Sequence, residues 1–291
     1  MLYADDTTIF TSSTIACNIQ ANLDRDLQRL NTWFDKNGLK VNPGKTEFIL
    51  FSNNRIRERF NHIKIAVNGK LIQEKEQVKI LGVTLTNNLK WDTHTNNLIN
   101  SLKYHYRSFS RSCRLLTIDT RKLLYNAAIA SRMNYCDMVW DCCNLNVKKK
   151  LQSVQNRCAR RILNQLPGSS SAPLFRKLGW IRLDQKRKLH KCVLLHKVIN
   201  GKGPKILLDM LSPLMEHEGR SMGTRGSTNE HLSMPLINTD YLKKSFVVDT
   251  AKSWNNIPLE LRLINSSLSF KNKLQTFYLT EYSAGLLPPD W

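Results

Sequence analysis

From Trp91 onward the hydrophobic period of this chain is helical, and that change limits the folds open to it. Upstream, short apolar runs are cut by turn-forming residues; downstream, apolar residues recur at steps of three and four, the period of a helix. Residues 1–11 read as a β-hairpin that turns at Ala4 to Asp6. Ser13 or Thr14 then caps a helix over about 15–36, in which Ile19, Leu23, Leu27, Leu30 and Phe34 form one stripe, and Gly38 ends it. Asn42-Pro43-Gly44 turns into a strand at 48–51. Asn68-Gly69, between the apolar runs 63–67 and 70–72, is a strong hairpin signal, and 78–85 reads as another strand. These residues predict one helix packed on an antiparallel sheet, so the fold class is α+β.

Beyond Trp91 the spacing predicts helices over about 91–114, 120–131, 133–143, 147–164 and 183–200, with a polar break at Leu166 to Ser171. Residues 216–238 read as a loop bearing Gly, Ser and Thr. Two helices near 245–255 and 268–281 follow, whose Phe246, Trp254, Phe270 and Phe277 recur at helical spacing and read as core. Three domains are expected: 1–90, 91–210 and 211–291.

Charge separates these segments more sharply than composition does. The chain carries 44 Lys and Arg against 23 Asp and Glu, a net charge of +21. Residues 1–100 hold 13 basic and 10 acidic groups, 101–210 hold 23 and 5, and 211–291 hold 8 and 8, so the net charges are +3, +18 and 0. The middle segment contains no Glu. A surplus of that size favours polyanionic partners through counterion release.

Within it, Lys148, Lys149, Lys150, Arg157, Arg160 and Arg161 share one helix whose apolar stripe is Leu151, Val154, Cys158 and Ile162. At 100° per residue, Lys150, Arg157, Arg160 and Arg161 fall to one side of that stripe. Arg182, Lys186, Arg187, Lys188 and Lys191 make a second basic run. A charge run is ordinarily a solvated face, but the scarcity of interleaved acids favours contact with phosphates. Tyr104, His105 and Tyr106 have the chemistry to stack on bases, and equally that of helix packing.

The seven cysteines are odd in number, lack a C-x-x-C pair and lie in apolar segments, which predicts reduced thiols inside a cell, nuclear or cytosolic. Their spacings match no zinc site. No apolar run is long enough to span a membrane. Asp5-Asp6, flanked by short apolar arms on the first hairpin, is a candidate magnesium ligand pair, since hard cations are held by converging carboxylates. The plainer reading is a solvated turn.

Tyr3-Ala4-Asp5-Asp6 resembles the catalytic hairpin of reverse transcriptases, and later segments agree with it in order. Residues 38–47, GLKVNPGKTE, resemble the helix-to-strand segment after that hairpin in non-LTR (LINE-type) retrotransposon enzymes. Ile80-Leu81-Gly82-Val83-Thr84-Leu85, with Leu89-Lys90-Trp91 and His94, resembles their primer-grip hairpin and the start of their thumb. Leu124-Tyr125 to Trp140, the 151–157 segment LQSVQNR, and Trp254-Asn255-Asn256-Ile257-Pro258 resemble the C-terminal region of jockey-like elements.

The resemblance implies a truncated polymerase palm, then a helical thumb-like module and a small helical unit. It implies Asp5 and Asp6 as magnesium ligands, Lys45 near the leaving pyrophosphate, and Leu81 and Gly82 at the primer terminus. RNA and DNA template-primer would be the partners of the 101–210 module. The earlier palm strand with the first catalytic aspartate, and the fingers, are not in this sequence. A C-terminal fragment inactive on its own is therefore expected, with a non-catalytic nucleic-acid-binding protein as the alternative.

Overall fold

A computed structural model describes residues 2–3, 6–52, 57–60, 62–215 and 231–283. The chain forms two compact units, Met1–His94 and Thr95–Trp291.

In the first unit, β1 (Leu2–Tyr3) pairs antiparallel with β2 (Asp6–Thr7), Tyr3 opposite Asp6. Helix α1 (Ala16–Lys36) follows. Its expected cap is absent: Ile15 occupies the N-cap position without a side-chain bond, and the Ser13 hydroxyl accepts instead from the Ile15 N–H at 3.1 Å. Its end follows the sequence signal. Gly38 adopts φ 68°, and the Leu39 N–H bonds back to Phe34 O at 2.9 Å, closing the left-handed turn that Gly makes without a Cβ penalty.

Ile19 of α1 is buried with Leu50, Phe60, Ile63 and Ile65, and Leu23 and Leu27 lie against them. The strand expected at 48–51 is reduced to a single bridge, Phe48 with Glu74. Strands β3 (Ile65–Val67) and β4 (Lys70–Ile72) form the hairpin turning at Asn68-Gly69, both with positive φ. The strand expected over 78–85 is instead two, β5 (Gln77–Ile80) and β6 (Val83–Thr86), folded back at Leu81-Gly82. Both turn residues have positive φ, 45° and 83°. A two-residue turn of that hand matches the twist of the strands, whereas Leu there is sterically strained.

The second unit is helical. It comprises α2 (Asp92–Ser112, whose first turn lies before the break), α3 (Ile118–Tyr125), α4 (Ser131–Asn134), α5 (Asp137–Trp140), α6 (Leu145–Ile162), α7 (Ser171–Leu178), α8 (Leu183–Ile199), α9 (Lys205–Met215), α10 (Asp240–Lys243), α11 (Phe246–Asn255), α12 (Leu259–Arg262) and α13 (Ser267–Ser283). A π-helical turn over Asn126–Ala130 joins α3 to α4 without a break. The interruption expected near 131–133 lies instead at Tyr135 and Cys136, where Cys136 is left-handed at φ 49°.

The C-terminal helices do not form the separate domain expected for 211–291. Trp254, Phe270 and Leu274 share one buried cluster with Leu189, Cys192 and Leu195 of α8, so their apolar faces have no core of their own to close on. Asn255 ties in the segment before α10: its amide accepts from the Leu232 N–H at 2.9 Å and donates to Leu232 O at 2.8 Å. The 216–230 part of the expected loop lies outside the described residues.

Candidate nucleic-acid interface

The basic residues of α6 and α8 divide into two groups by what they touch. On α6, Arg161 donates from Nε and Nη2 to Ser110 O at 3.0 and 2.7 Å, satisfying a carbonyl near the end of α2. Arg121 reciprocates, donating through Nη1 to Ile162 O at 2.9 Å, at the end of α6. Arg160 holds the following loop through Ser169 O at 2.7 Å. These arginines fasten helix ends.

Lys148, Arg187 and Lys191 converge on one carboxylate. Asp141, beside α5, pairs with Lys148 at 3.0 Å, with Arg187 at 3.4 Å and with Lys191, which also pairs with Asp249 of α11. Arg187 and Lys191 are each only 2% exposed, and the Arg187 guanidinium lies 4.8 Å from the centre of the Trp140 ring. Burial alone would push Asp141 up, but the Lys191 ammonium, then Lys148 and Arg187, hold its carboxyl below the usual range. Lys191 is correspondingly held above its ordinary value: burial opposes the charge, and Asp141 and Asp249 outweigh it.

His190, next to Lys191 on α8, bonds Asp137 through Nδ1 at 2.8 Å. Lys186 is half-buried, and burial draws its pKa down against the pull of Asp137. Lys149 is half-buried, while Lys188 is exposed.

A second group faces outward. Lys150 and Arg157 are the exposed cations of α6's basic face. Opposite them, α2 presents Asn96, Ile99, Asn100 and Lys103, and with Lys150, Ser153, Val154 and Arg157 they line an open cleft of about 480 Å³. On both helices the lining runs at i, i+3, i+4, i+7, the spacing of one helix face. Ile99 and Val154 are buried at 6% and 2% exposure, so the cleft has an apolar floor and a polar rim. The Arg157 guanidinium sits 5.0 Å from the centre of the Tyr106 ring, which fixes a side chain that would otherwise sample many rotamers. Arg107 and Arg111 continue exposed from Lys103 along α2, one turn apart.

Sequence reasoning singled out Lys150 and Arg157 but passed over Lys103, Arg107, Arg111, Asn96 and Asn100. The i, i+4, i+8 spacing of Lys103, Arg107 and Arg111 within a recognisable helix was the signal available.

The acids explain why this group stays unbalanced. Of the five in 101–210, Asp119 pairs with Lys122, Asp137 with His190, Asp184 with Arg182, and Asp141 with its three cations. Lys103, Arg107, Arg111, Lys150 and Arg157 have no carboxylate partner among the described residues.

The segment singled out at 151–157 serves packing as well as the cleft. Gln152 donates to Gln155 and Asn156 at 2.9 and 2.8 Å and accepts from the Leu183 N–H at 3.0 Å, and Gln155 donates to Ile181 O at 3.1 Å. This buried amide set pins the start of α8 to α6.

In the first unit, Asp6 is exposed on β2, and Asp5 lies outside the described residues. Lys45 is exposed in a turn closed by the Asn42 side chain on the Gly44 N–H at 2.9 Å. Leu81 and Gly82 form the β5–β6 turn described above. His94 accepts the Thr84 N–H through Nδ1 at 3.3 Å, and burial, helped by Lys79, holds its pKa below the ordinary value. No group of three His, Cys, Asp or Glu that could hold a metal occurs among the described residues. Burial pushes the Cys143 thiol up to about 11 and Cys192 to about 12, so both stay protonated near neutrality and are poor metal ligands. No described helix is long and apolar enough to cross a membrane.

Residues 1–85 match the family model described as reverse transcriptase (RNA-dependent DNA polymerase). The chain is also 25% identical over 187 residues to the RNA-directed DNA polymerase from mobile element jockey of Drosophila funebris, covering 63% of this chain and 19% of that protein. The chain is thus similar to RNA-directed DNA polymerases of mobile elements. The jockey polymerase of Drosophila melanogaster is 23% identical over the same length, covering 63% of this chain and 19% of that protein. A probable RNA-directed DNA polymerase from transposon BS of that species is 25% identical over 163 residues, 55% of this chain and 18% of that protein. The chain thus spans about a fifth of the length of these reverse transcriptases. No solved structure matches it. The family match covers the hairpins of the first unit, and the match to the jockey polymerases, at 187 residues, is too long to lie within those 85 alone.

Proposed function

We propose that this chain is the C-terminal part of a retrotransposon RNA-directed DNA polymerase, and that its helical unit holds nucleic acid against α2 and α6. One observation carries the reading: five exposed cations on two adjacent helices lack internal counterions, in a segment where four of the five acids pair with other groups. Phosphates would supply the missing charge, and binding would weaken steeply as salt rises.

In the polymerase reading, Asp5 and Asp6 hold magnesium, Lys45 neutralises charge near the departing pyrophosphate, and the Leu81-Gly82 turn brings backbone to the primer terminus. The turn supports its part, because a bulky residue held at positive φ is a strain that proteins retain at functional positions. Magnesium would supply the charge that aligns and stabilises the transferring phosphoryl group. The resemblance implies a further catalytic aspartate bridging the two ions, which Asp5 and Asp6 do not replace, and the chain alone is expected not to extend a primer.

Titrating the purified 291-residue protein into a labelled oligonucleotide at 50 and 200 mM salt tests the binding. Tight binding at low salt that falls at least tenfold is expected. Absence of binding, or salt-independent binding, refutes it. Magnesium-dependent primer extension by the same preparation would refute the inactivity.

A further inference from the structure

We propose that the cleft between α2 and α6 is a binding site for single-stranded nucleic acid, taking one base with its flanking phosphates; this rests on the nucleic-acid reading of the helical unit and specifies its ligand. Size decides first. The cleft, about 480 Å³ and half-open to solvent, has room for a base but does not enclose a whole nucleotide. A duplex keeps its bases paired and stacked inside it and meets only the rim cations, whereas an unpaired base exposes its faces and edges to the lining.

The lining then matches the parts of a nucleotide by depth. Ile99 and Val154 at the floor offer apolar contact to a base plane. Asn96 brings an amide donor and acceptor, the set that reads a base edge, and Asn100 brings an amide whose oxygen accepts from Lys103 Nζ at 3.4 Å; such edges are accessible only when the base is unpaired or viewed from a groove. Lys103, Lys150 and Arg157 stand at the rim. Within the Arg157 guanidinium, Nε donates to Ser153 O at 3.4 Å, and the fork of terminal nitrogens remains for a phosphate. Tyr106 beneath that guanidinium holds it ready before the ligand arrives. Arg107 and Arg111 extend the cation track along α2, giving the strand a direction of exit.

Fluorescence anisotropy on the full chain tests this with a labelled 12-nucleotide single strand, in RNA and DNA versions, and a 20-base-pair duplex. Three variants are compared: K103A/K150A/R157A in the cleft, N96A/N100A, which leaves charge unaltered, and K197A/K202A/K205A, which removes the same charge from exposed positions elsewhere. All replaced side chains are exposed, so circular dichroism should show the wild-type fold.

The cleft triple is expected to weaken single-strand binding at least tenfold more than the control triple. Its salt slope should fall by about 2, three contacts at about 0.7 each. N96A/N100A is expected to weaken single-strand binding several-fold and duplex binding less than twofold. Equal losses for single strand and duplex, or equal losses in the cleft and control triples, overturn the inference while leaving general nucleic-acid binding intact. Failure of the wild-type protein to bind any probe overturns the functional reading itself.

Discussion

Replacing Asp141 by Asn removes one charge and almost no volume from the place where three cations meet. The wild-type node sets Lys148, Arg187 and Lys191 against Asp141 and Asp249, a net +1, and the substitution raises it to +2 with Arg187 and Lys191 each only 2% exposed. Two Arg187 nitrogens, Nε and Nη2, already lack hydrogen-bond partners. The ion pair from its Nη1 to Asp141 is therefore the one polar compensation for that buried guanidinium, beside its stacking on Trp140. Removing one partner of a buried ion pair costs about 3–5 kcal/mol, because the remaining charge is stranded away from water. Lys191 keeps Asp249, which places the expected loss at the lower end of that range.

For a unit of this size each kcal/mol corresponds to roughly 2–4 °C in melting temperature. A fall of roughly 6–12 °C is expected by circular dichroism at pH 7, from about 3 kcal/mol at that slope. D119N is the control, since Asp119 pairs with Lys122 at 92% exposure and such surface pairs contribute little. The pH dependence has a defined sign. Asp141 is depressed in the fold, so its contribution is complete above the ordinary value of 3.8 and is lost as pH falls through the lower folded value. Lys191 is raised, so its contribution is present below 10.5 and is lost as pH rises through the higher folded value. A melting temperature for D141N within about 2 °C of wild type would show that Asp141 does not hold the node together.

Other positions give independent expectations. G203A should destabilise the second unit by about 1–3 kcal/mol in urea titration, because a Cβ there would stand 2.8 Å from the Val198 Cα, which has no freedom to yield. L81N should stabilise the first unit by about 1 kcal/mol by relieving the left-handed Leu81, and an unchanged denaturation midpoint would show that the turn carries no strain. His94 is depressed in the fold, so the first unit should be less stable at pH 5 than at pH 7, with the loss beginning below 6.5, and H94Q should flatten that profile. N255A should free the segment around Leu232, read as faster amide exchange at Leu232 with little change at Trp254.

Element existence was legible wherever a long stripe had a clean stop. The helices expected over 147–164, 183–200, 245–255 and 268–281 correspond to α6, α8, α11 and α13 with small shifts at their ends. The 118–134 segment was harder, since its π turn keeps the apolar side inward while adding a residue to the period. Helix α7 was missed because its eight residues, with Pro173 in the first turn, are too few to display a period. It is held by tertiary contacts: Leu174 and Phe175 bury with Ala159, and Gly179 turns the chain so that Trp180 stacks on Tyr125 at 4.2 Å. The β5–β6 turn was hidden from the residue pattern, because Leu-Gly, unlike Asn-Gly, does not advertise positive φ at its first position, and only the resemblance to a primer-grip hairpin pointed to it.

The basic segment shows why a charge run alone does not define a binding surface. Lys148, Lys150, Arg157 and Arg161 belong to one helix and one composition, yet two of them serve the fold and two line a cleft. What separates them is set by the fold: Lys148 meets Asp141, itself 50 residues from its other partner Lys191, and Arg161 meets Ser110, 51 residues away. An acid or carbonyl brought in by the fold converts a cation into a fastener, and only cations left over after that pairing can neutralise an external polyanion. With four of the five local acids engaged in ion pairs, the count of available cations is set by geometry, and five of them fall on α2 and on the α6 residues opposite it. Exchanging exposed cations there should therefore change binding without changing stability, and exchanging Arg161 or Arg187 should do the reverse.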